Sequence, residues 1–119
     1  MADRPLVLIV EDDDAIRLPL LKFVELRGFD VASALTAGQA LDAIGCRMPD
    51  GAIVDLRLPG GSGRDVVLAI PPPTPVVIFS GVPHEAQGLD RIRPYTRLIL
   101  KPFSLVMLVE TLNRMMARP

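Results

Sequence analysis

Three stretches of this chain are apolar at consecutive positions, without alternation: Leu6-Val-Leu-Ile-Val10, Ala52-Ile-Val54 and Val76-Val-Ile-Phe79. A strand with one wet face alternates apolar and polar residues. A strand apolar at every position is buried on both faces, as in parallel sheets covered by helices on each side. Helical signals fill the intervals. Glu11 to Asp14 open the first helix, with Asp13 or Asp14 as N-cap and acidic charge favoured by the dipole. Ile16, Leu20, Phe23 and Val24 lie on one face; Pro19 falls within the early turns and Gly28 closes the helix.

Asp30 to Ala34 is a second strand. Thr36 and Gln39 form a capping box, and Ala40, Leu41 and Ile44 form the expected buried stripe of the second helix, which Gly45 and Pro49 end. A third helix begins at Ser62 to Asp65 and must stop by Ile70, ahead of Pro71-Pro72-Pro73. Pro75 to Phe79 is the fourth strand. His84 to Ile92 offers about two turns of helix, with Gly88 in the middle. So short a helix depends on packing, which only Ala86, Leu89 and Ile92 can supply. Arg93 precedes Pro94 and is pushed out of helical geometry. Arg97 to Leu100 is the fifth strand. Ser104 caps a last helix with a stripe of Leu105, Leu108, Val109, Leu112 and Met116. Strand and helix alternate five times, which predicts an α/β fold, a parallel sheet with helices on both faces.

The 119 residues, half of them apolar, suit one domain spanning 1–119. A net charge of −1 exerts no pull toward nucleic acid or an acidic membrane surface. The single cysteine, Cys46, excludes an internal disulfide framework and a multi-cysteine metal site, and fits a reducing compartment. Leu6 to Val10 is too short for a leader, and no run reaches the ~20 apolar residues of a membrane span. The expectation is a cytoplasmic protein without a membrane or direct nucleic-acid partner. His84 is isolated and reads as a surface loop residue. A dinucleotide fold or P-loop would need a glycine-rich turn after the first strand; the turn here is acidic and would repel a pyrophosphate.

The chemistry is legible at the carboxyl ends of the strands, where ligands sit in open α/β sheets. Glu11 and Asp12 follow the first strand, Asp55 ends the third, Ser80 the fourth, and Lys101 follows the fifth. Each alone has an ordinary reading: Asp55 as a turn or cap residue, Ser80 as a turn residue, Lys101 as a surface lysine. Together they are harder to dismiss. Three converging carboxylates repel one another unless a divalent cation joins them. Mg²⁺ takes such oxygen ligands, Lys101 supplies a point charge for a phosphoryl oxygen, and Ser80 supplies a hydroxyl donor. These are the parts of phosphoryl transfer to a carboxylate.

Four motifs, Val10-Glu-Asp-Asp13, Val54-Asp-Leu-Arg-Leu-Pro-Gly-Gly-Ser-Gly63, Phe79-Ser-Gly81 and Leu100-Lys-Pro-Phe103, give the chain its resemblance to the receiver domain of bacterial two-component response regulators. The resemblance covers essentially the whole chain. It implies a flavodoxin-like (βα)5 doubly wound sheet with strand order 2-1-3-4-5, here with a shortened third helix and an irregular fourth. It implies Asp55 as phosphoacceptor and Asp12 as direct Mg²⁺ ligand. Glu11 would act through water, the Arg57 carbonyl as a further ligand, and Ser80 and Lys101 as the phosphate-sensing pair. It also implies a cis Lys101–Pro102 bond and a histidine kinase or histidine phosphotransfer protein as donor. Three positions depart from the pattern: Leu98, where the family often has an aromatic residue, the third helix cut by prolines, and the fourth helix region poor in helix formers.

The function expected is a phosphorylation-dependent switch or relay module, not an enzyme beyond its own aspartyl phosphorylation and dephosphorylation. With the last helix ending at Arg118-Pro119, no DNA-binding domain is expected within the chain. A homodimer through the fourth helix, fifth strand and last helix is a further expectation. Two alternatives are a degenerate receiver that only docks partners, and a Mg²⁺-dependent aspartate-nucleophile phosphatase. The latter would want a second aspartate two residues after Asp55, where Arg57 stands. Arg57 is positioned to cover an acyl phosphate and slow its hydrolysis. The switch signal is expected in Val82 to Pro94 and the last helix, since Leu98 has no ring to rotate.

Overall fold

The structure, a computed structural model, describes residues 4–81, 88–100 and 103–117. Five parallel strands form the main sheet: β1 (Leu6–Val10), β2 (Asp30–Ala34), β3 (Gly51–Asp55), β4 (Val76–Ser80) and β5 (Thr96–Leu100). Their spatial order is 2-1-3-4-5, so β1, β3 and β4 lie inside the sheet and β2 and β5 are its edges. The helices are α1 (Asp14–Leu26), α2 (Ala37–Cys46), α3 (Gly63–Ala69), α4 (Leu89–Ile92) and α5 (Leu105–Met116). A two-residue antiparallel ladder pairs Arg57–Leu58 with Gly61–Ser62 just after β3.

The apolar runs are explained by two cores, one on each sheet face. Val7, Ile9, Ile53, Val77 and Phe79 point to one side and pack with Leu20 and Val24 of α1 and Leu108, Val109 and Leu112 of α5. Leu8, Val10, Ala52, Val54 and Ile78 point to the other and pack with Ala40 and Ile44 of α2 and Val66 and Val67 of α3. Successive strand residues alternate between the two cores, so both sets must be apolar.

The helix ends follow their capping chemistry. Asp13 caps α1 by accepting from the Ala15 N–H at 2.9 Å, and Ser104 caps α5 by accepting from the Met107 N–H at 3.0 Å. Thr36 Oγ1 accepts from Gln39 N–H at 3.1 Å, but the Gln39 side chain accepts from Leu35 N–H at 2.8 Å, one residue earlier than in a capping box. In α2 the buried stripe is Ala37, Ala40 and Ile44, whereas Leu41 is exposed. The helix is rotated so that small residues meet the sheet, which leaves Leu41 on the flank.

α3 has seven residues and ends at Ile70, ahead of the prolines, as their missing N–H groups require. The Pro72–Pro73 bond is cis. α4 has four residues, starts after Gly88 in the left-handed region and stops at extended Arg93. Leu89 is its buried anchor, and Ile92, expected to help, is instead 57% exposed. A helix of barely one turn has room to bury one face only. His84, Ala86 and the Lys101–Pro102 bond lie outside the described residues. No helix among the described residues is long and apolar enough to cross a membrane.

Candidate phosphoryl-acceptor site

β1 and β3 are neighbours in register, Val10 opposite Val54, so the residues that follow them emerge side by side. Glu11 and Asp12 come from β1 and Asp55 from β3. One carboxylate oxygen from each of the three lies within 4.8 Å of the others. β4 runs beside β3 with Phe79 opposite Asp55, which puts Ser80 one step beyond, buried at the rim of the same cleft. The cleft has a volume of about 560 Å³, with Glu11, Asp12, Asp55, Arg57, Ser80 and Gly81 among its walls.

Local bonds hold these groups. Leu56 N–H donates to Phe79 O at 3.3 Å, extending the β3–β4 ladder past the aspartate. Arg57 N–H donates to Asp55 Oδ1 at 3.0 Å, a turn that bends the chain immediately after it. Gly63, the first residue of α3, donates its N–H to Leu56 O at 3.1 Å. On the other side Glu11 N–H donates to Ala34 O at 3.1 Å, and Glu11 Oε2 accepts from Asp13 N–H at 3.1 Å.

Glu11 is 1% exposed, and its Oε1 has no hydrogen-bond partner among the described residues. Its carboxyl is raised from an ordinary 4.5 to about 8: burial pushes it up most, the Asp13 N–H pulls it down, and the Asp55 charge adds to the rise. An orphaned buried carboxyl oxygen beside two other acids suits a hard divalent cation, whose bound water would satisfy the oxygen and whose charge would offset the repulsion. The donor set therefore fits Mg²⁺, with Glu11, Asp12 and Asp55 supplying the carboxylates.

Of the residues singled out from the sequence, Glu11, Asp12, Asp55, Arg57 and Ser80 come together at one cleft. Lys101 lies outside the described residues; it follows Leu100, which is in register with Ser80. Sequence reasoning overlooked two arginines. Arg17 folds back onto the acidic loop, its Nη1 donating to Glu11 O at 3.2 Å. Its only sequence signal is its place one helical turn past Asp13 and Asp14. Arg93 is 2% exposed, away from the site, and carries no signal beyond its position before Pro94.

The chain matches the model of the response regulator receiver domain over residues 7–113. It is 30% identical over 121 residues to the C4-dicarboxylate transport transcriptional regulatory protein DctD of Rhizobium meliloti (strain 1021), covering 96% of this chain and 26% of that protein. It is 28% identical over 113 residues to the chemotaxis protein CheY of Thermotoga maritima, covering 91% of this chain and 94% of that one. The crystal structure of the receiver domain of NtrX from Brucella abortus superposes with a TM-score of 0.81 at 28% identity, covering 95% of this chain and 99% of that one. The chain spans only 26% of DctD and 46% of the acid tolerance regulatory protein ActR of the same species. Five parallel strands in the order 2-1-3-4-5, with an aspartate at the end of the central one and two acids beside it, place this chain in the response regulator receiver domain family.

Proposed function

We propose that this receiver domain is a phosphorylation-dependent switch in a two-component relay, with Asp55 as the acceptor. The observation that carries the reading is the meeting of Glu11, Asp12 and Asp55 carboxylates within 4.8 Å at the ends of adjacent strands. An Asp55 oxygen attacks phosphorus in line, the O–P bond forms, and the P–N bond of a donor phosphohistidine breaks, leaving imidazole. Bound Mg²⁺ would neutralise the charge gathered between the acids and the incoming phosphoryl oxygens. Asp12 and Asp55 would hold it directly with the Arg57 carbonyl, and Glu11 through water. The Ser80 hydroxyl is set to donate to a phosphoryl oxygen, and Lys101 is assigned the charge partner of another.

The donor is assigned as a histidine kinase or histidine phosphotransfer protein in the cytoplasm, and the only reaction catalysed is the domain's own phosphorylation and dephosphorylation. For the readout we assign the surface of α4, β5 and α5. Leu98 and Leu100 on the edge strand are 37% and 40% exposed, and Ile92 and Val106 are 57% and 51% exposed. Such exposed apolar groups suit a partner protein or a second copy of the domain. Incubation with acetyl phosphate and Mg²⁺ followed by intact mass tests the acceptor. One added phosphoryl, absent in Asp55→Asn, is the expected result. No adduct would favour a module that docks partners without phosphorylation.

A further inference from the structure

We propose that Arg17 is a positioning residue for the metal-binding acids, acting through the backbone of the loop that carries them. This rests on the Mg²⁺ reading given above. The Arg17 side chain is only 12% exposed although it starts from a surface helix. Its Nη1 donates to Glu11 O at 3.2 Å and approaches Asp12 O at 3.5 Å, while Nη2 pairs with the Asp14 carboxylate. The guanidinium thus spans two consecutive peptide units of the acidic loop, and Asp14 holds it there from the first turn of α1.

The loop needs such a tie. Glu11 is still fixed by the sheet, through its N–H to Ala34 O, and Asp13 is fixed as the cap of α1. Asp12, between them, is exposed and lies in neither element. With the Asp55 charge and a buried acid close by, a loose Asp12 would swing its carboxylate away from the others. Arg17 fixes the peptide planes on both sides of Asp12 and so the direction in which its carboxylate leaves the backbone. The planar fork of arginine lets Nη1 face the loop carbonyls while Nη2 holds Asp14, whereas a lysine offers one nitrogen for both tasks.

The alternative role is a plain counter-charge, and the two roles predict opposite signs. If Arg17 only offsets acidic charge, its removal deepens the negative potential and tightens cation binding. If it positions the loop, its removal weakens binding. The test is calorimetric titration of Mg²⁺ into the parent, Arg17→Met and Arg17→Lys, each kept well below its thermal midpoint so that only folded protein is read. Losing a residue that orients metal ligands typically weakens affinity by 10–100-fold, and a loss of about tenfold is expected for Arg17→Met. Arg17→Lys should recover part of that loss. A purely structural arginine would lower the midpoint and leave affinity unmoved. Binding by Arg17→Met as tight as the parent's, or tighter, overturns the proposal. A parent that takes up no Mg²⁺ would instead remove the site reading, and this proposal with it.

Discussion

Gly63 sits so close to Asp55 that a Cβ on it would stand 2.2 Å from the Asp55 carbonyl oxygen and 2.7 Å from Leu56 Cα. Both contacts are backbone, with no flexible side chain to move aside. The first turn of α3 is thereby held against the strand end that presents the carboxylate. Gly63→Ala should destabilise the domain by about 1–3 kcal/mol, as overpacking in a tight site does. It should also slow phosphorylation from acetyl phosphate, because the relief must move Asp55 or α3. Urea unfolding and intact mass over time measure both, and a variant matching the parent in each would show that the backbone yields without cost.

Asp55→Asn should carry no phosphoryl group and keep the fold. The amide is nearly the same shape but a poor nucleophile, and one of three crowded acids is gone. Metal-free stability should equal or exceed that of the parent. Far-ultraviolet dichroism, thermal midpoints and intact mass decide the matter; an adduct at the parental rate would move the acceptor elsewhere.

The Glu11 carboxyl rises from 4.5 to about 8 on folding without metal, chiefly through burial. Between those values the folded chain keeps a proton that the unfolded chain releases. Stability of the metal-free protein should therefore be greatest below about pH 4.5 as far as this group is concerned, and fall as pH rises toward 8. Glu11→Gln should flatten that slope, and Mg²⁺ should bind more tightly as pH rises because binding expels the proton. Urea midpoints at several pH values without metal test the slope; one that rises over this range in the parent and is unchanged in the variant would contradict the assignment.

Arg93 is buried with its donors met entirely by uncharged acceptors among the described residues. Nε donates to Ile70 O at 2.8 Å, and Nη2 to Thr74 O at 2.5 Å. Nη1 reaches Pro94 O at 2.9 Å, Thr96 Oγ1 at 3.0 Å and Tyr95 O at 3.3 Å. Burial alone lowers its pKa from the usual arginine value. The guanidinium ties the proline-rich turn before β4 to the turn before β5, where Tyr95 has a φ of 61°. Arg93→Met strands the buried Ile70 carbonyl, removes the part-buried bonds to Thr74, Pro94 and Thr96, and should cost on the order of 3 kcal/mol. Chemical denaturation measures it, and a loss below about 0.5 kcal/mol, the size of an ordinary surface change, would show that water replaces the arginine.

Arg57→Ala should shorten the lifetime of the phosphorylated domain. Arg57 is exposed and follows Asp55 by two residues, and its backbone already bends over the carboxylate. Following loss of the added mass in both proteins tests this, and an equal or longer lifetime in the variant counts against shielding.

The strands and their acids were legible in the chain because each depends on local chemistry. A strand buried on both faces must be apolar throughout, so Leu6 to Val10 and Val76 to Phe79 declared themselves, and Asp55 stood out where such a run stopped. The cap at Ser104 was legible for the same reason, and the first cap was narrowed to Asp13 or Asp14, of which the structure uses Asp13; each bonds to an N–H two or three residues on. Tertiary structure alone decided which flank of α2 faces the sheet, burying Ala37 rather than Leu41, because periodicity defines a stripe but not its last few degrees of rotation. It also decided that α4 keeps Leu89 and gives up Ile92. The close approach of Gly63 to Asp55 depends on a turn closing back on a strand. The reach of Arg93 depends on carbonyls 19 and 23 residues away. A long polar side chain carries no mark in the sequence of which distant backbone it will satisfy; that is settled only when the strands have brought those carbonyls together.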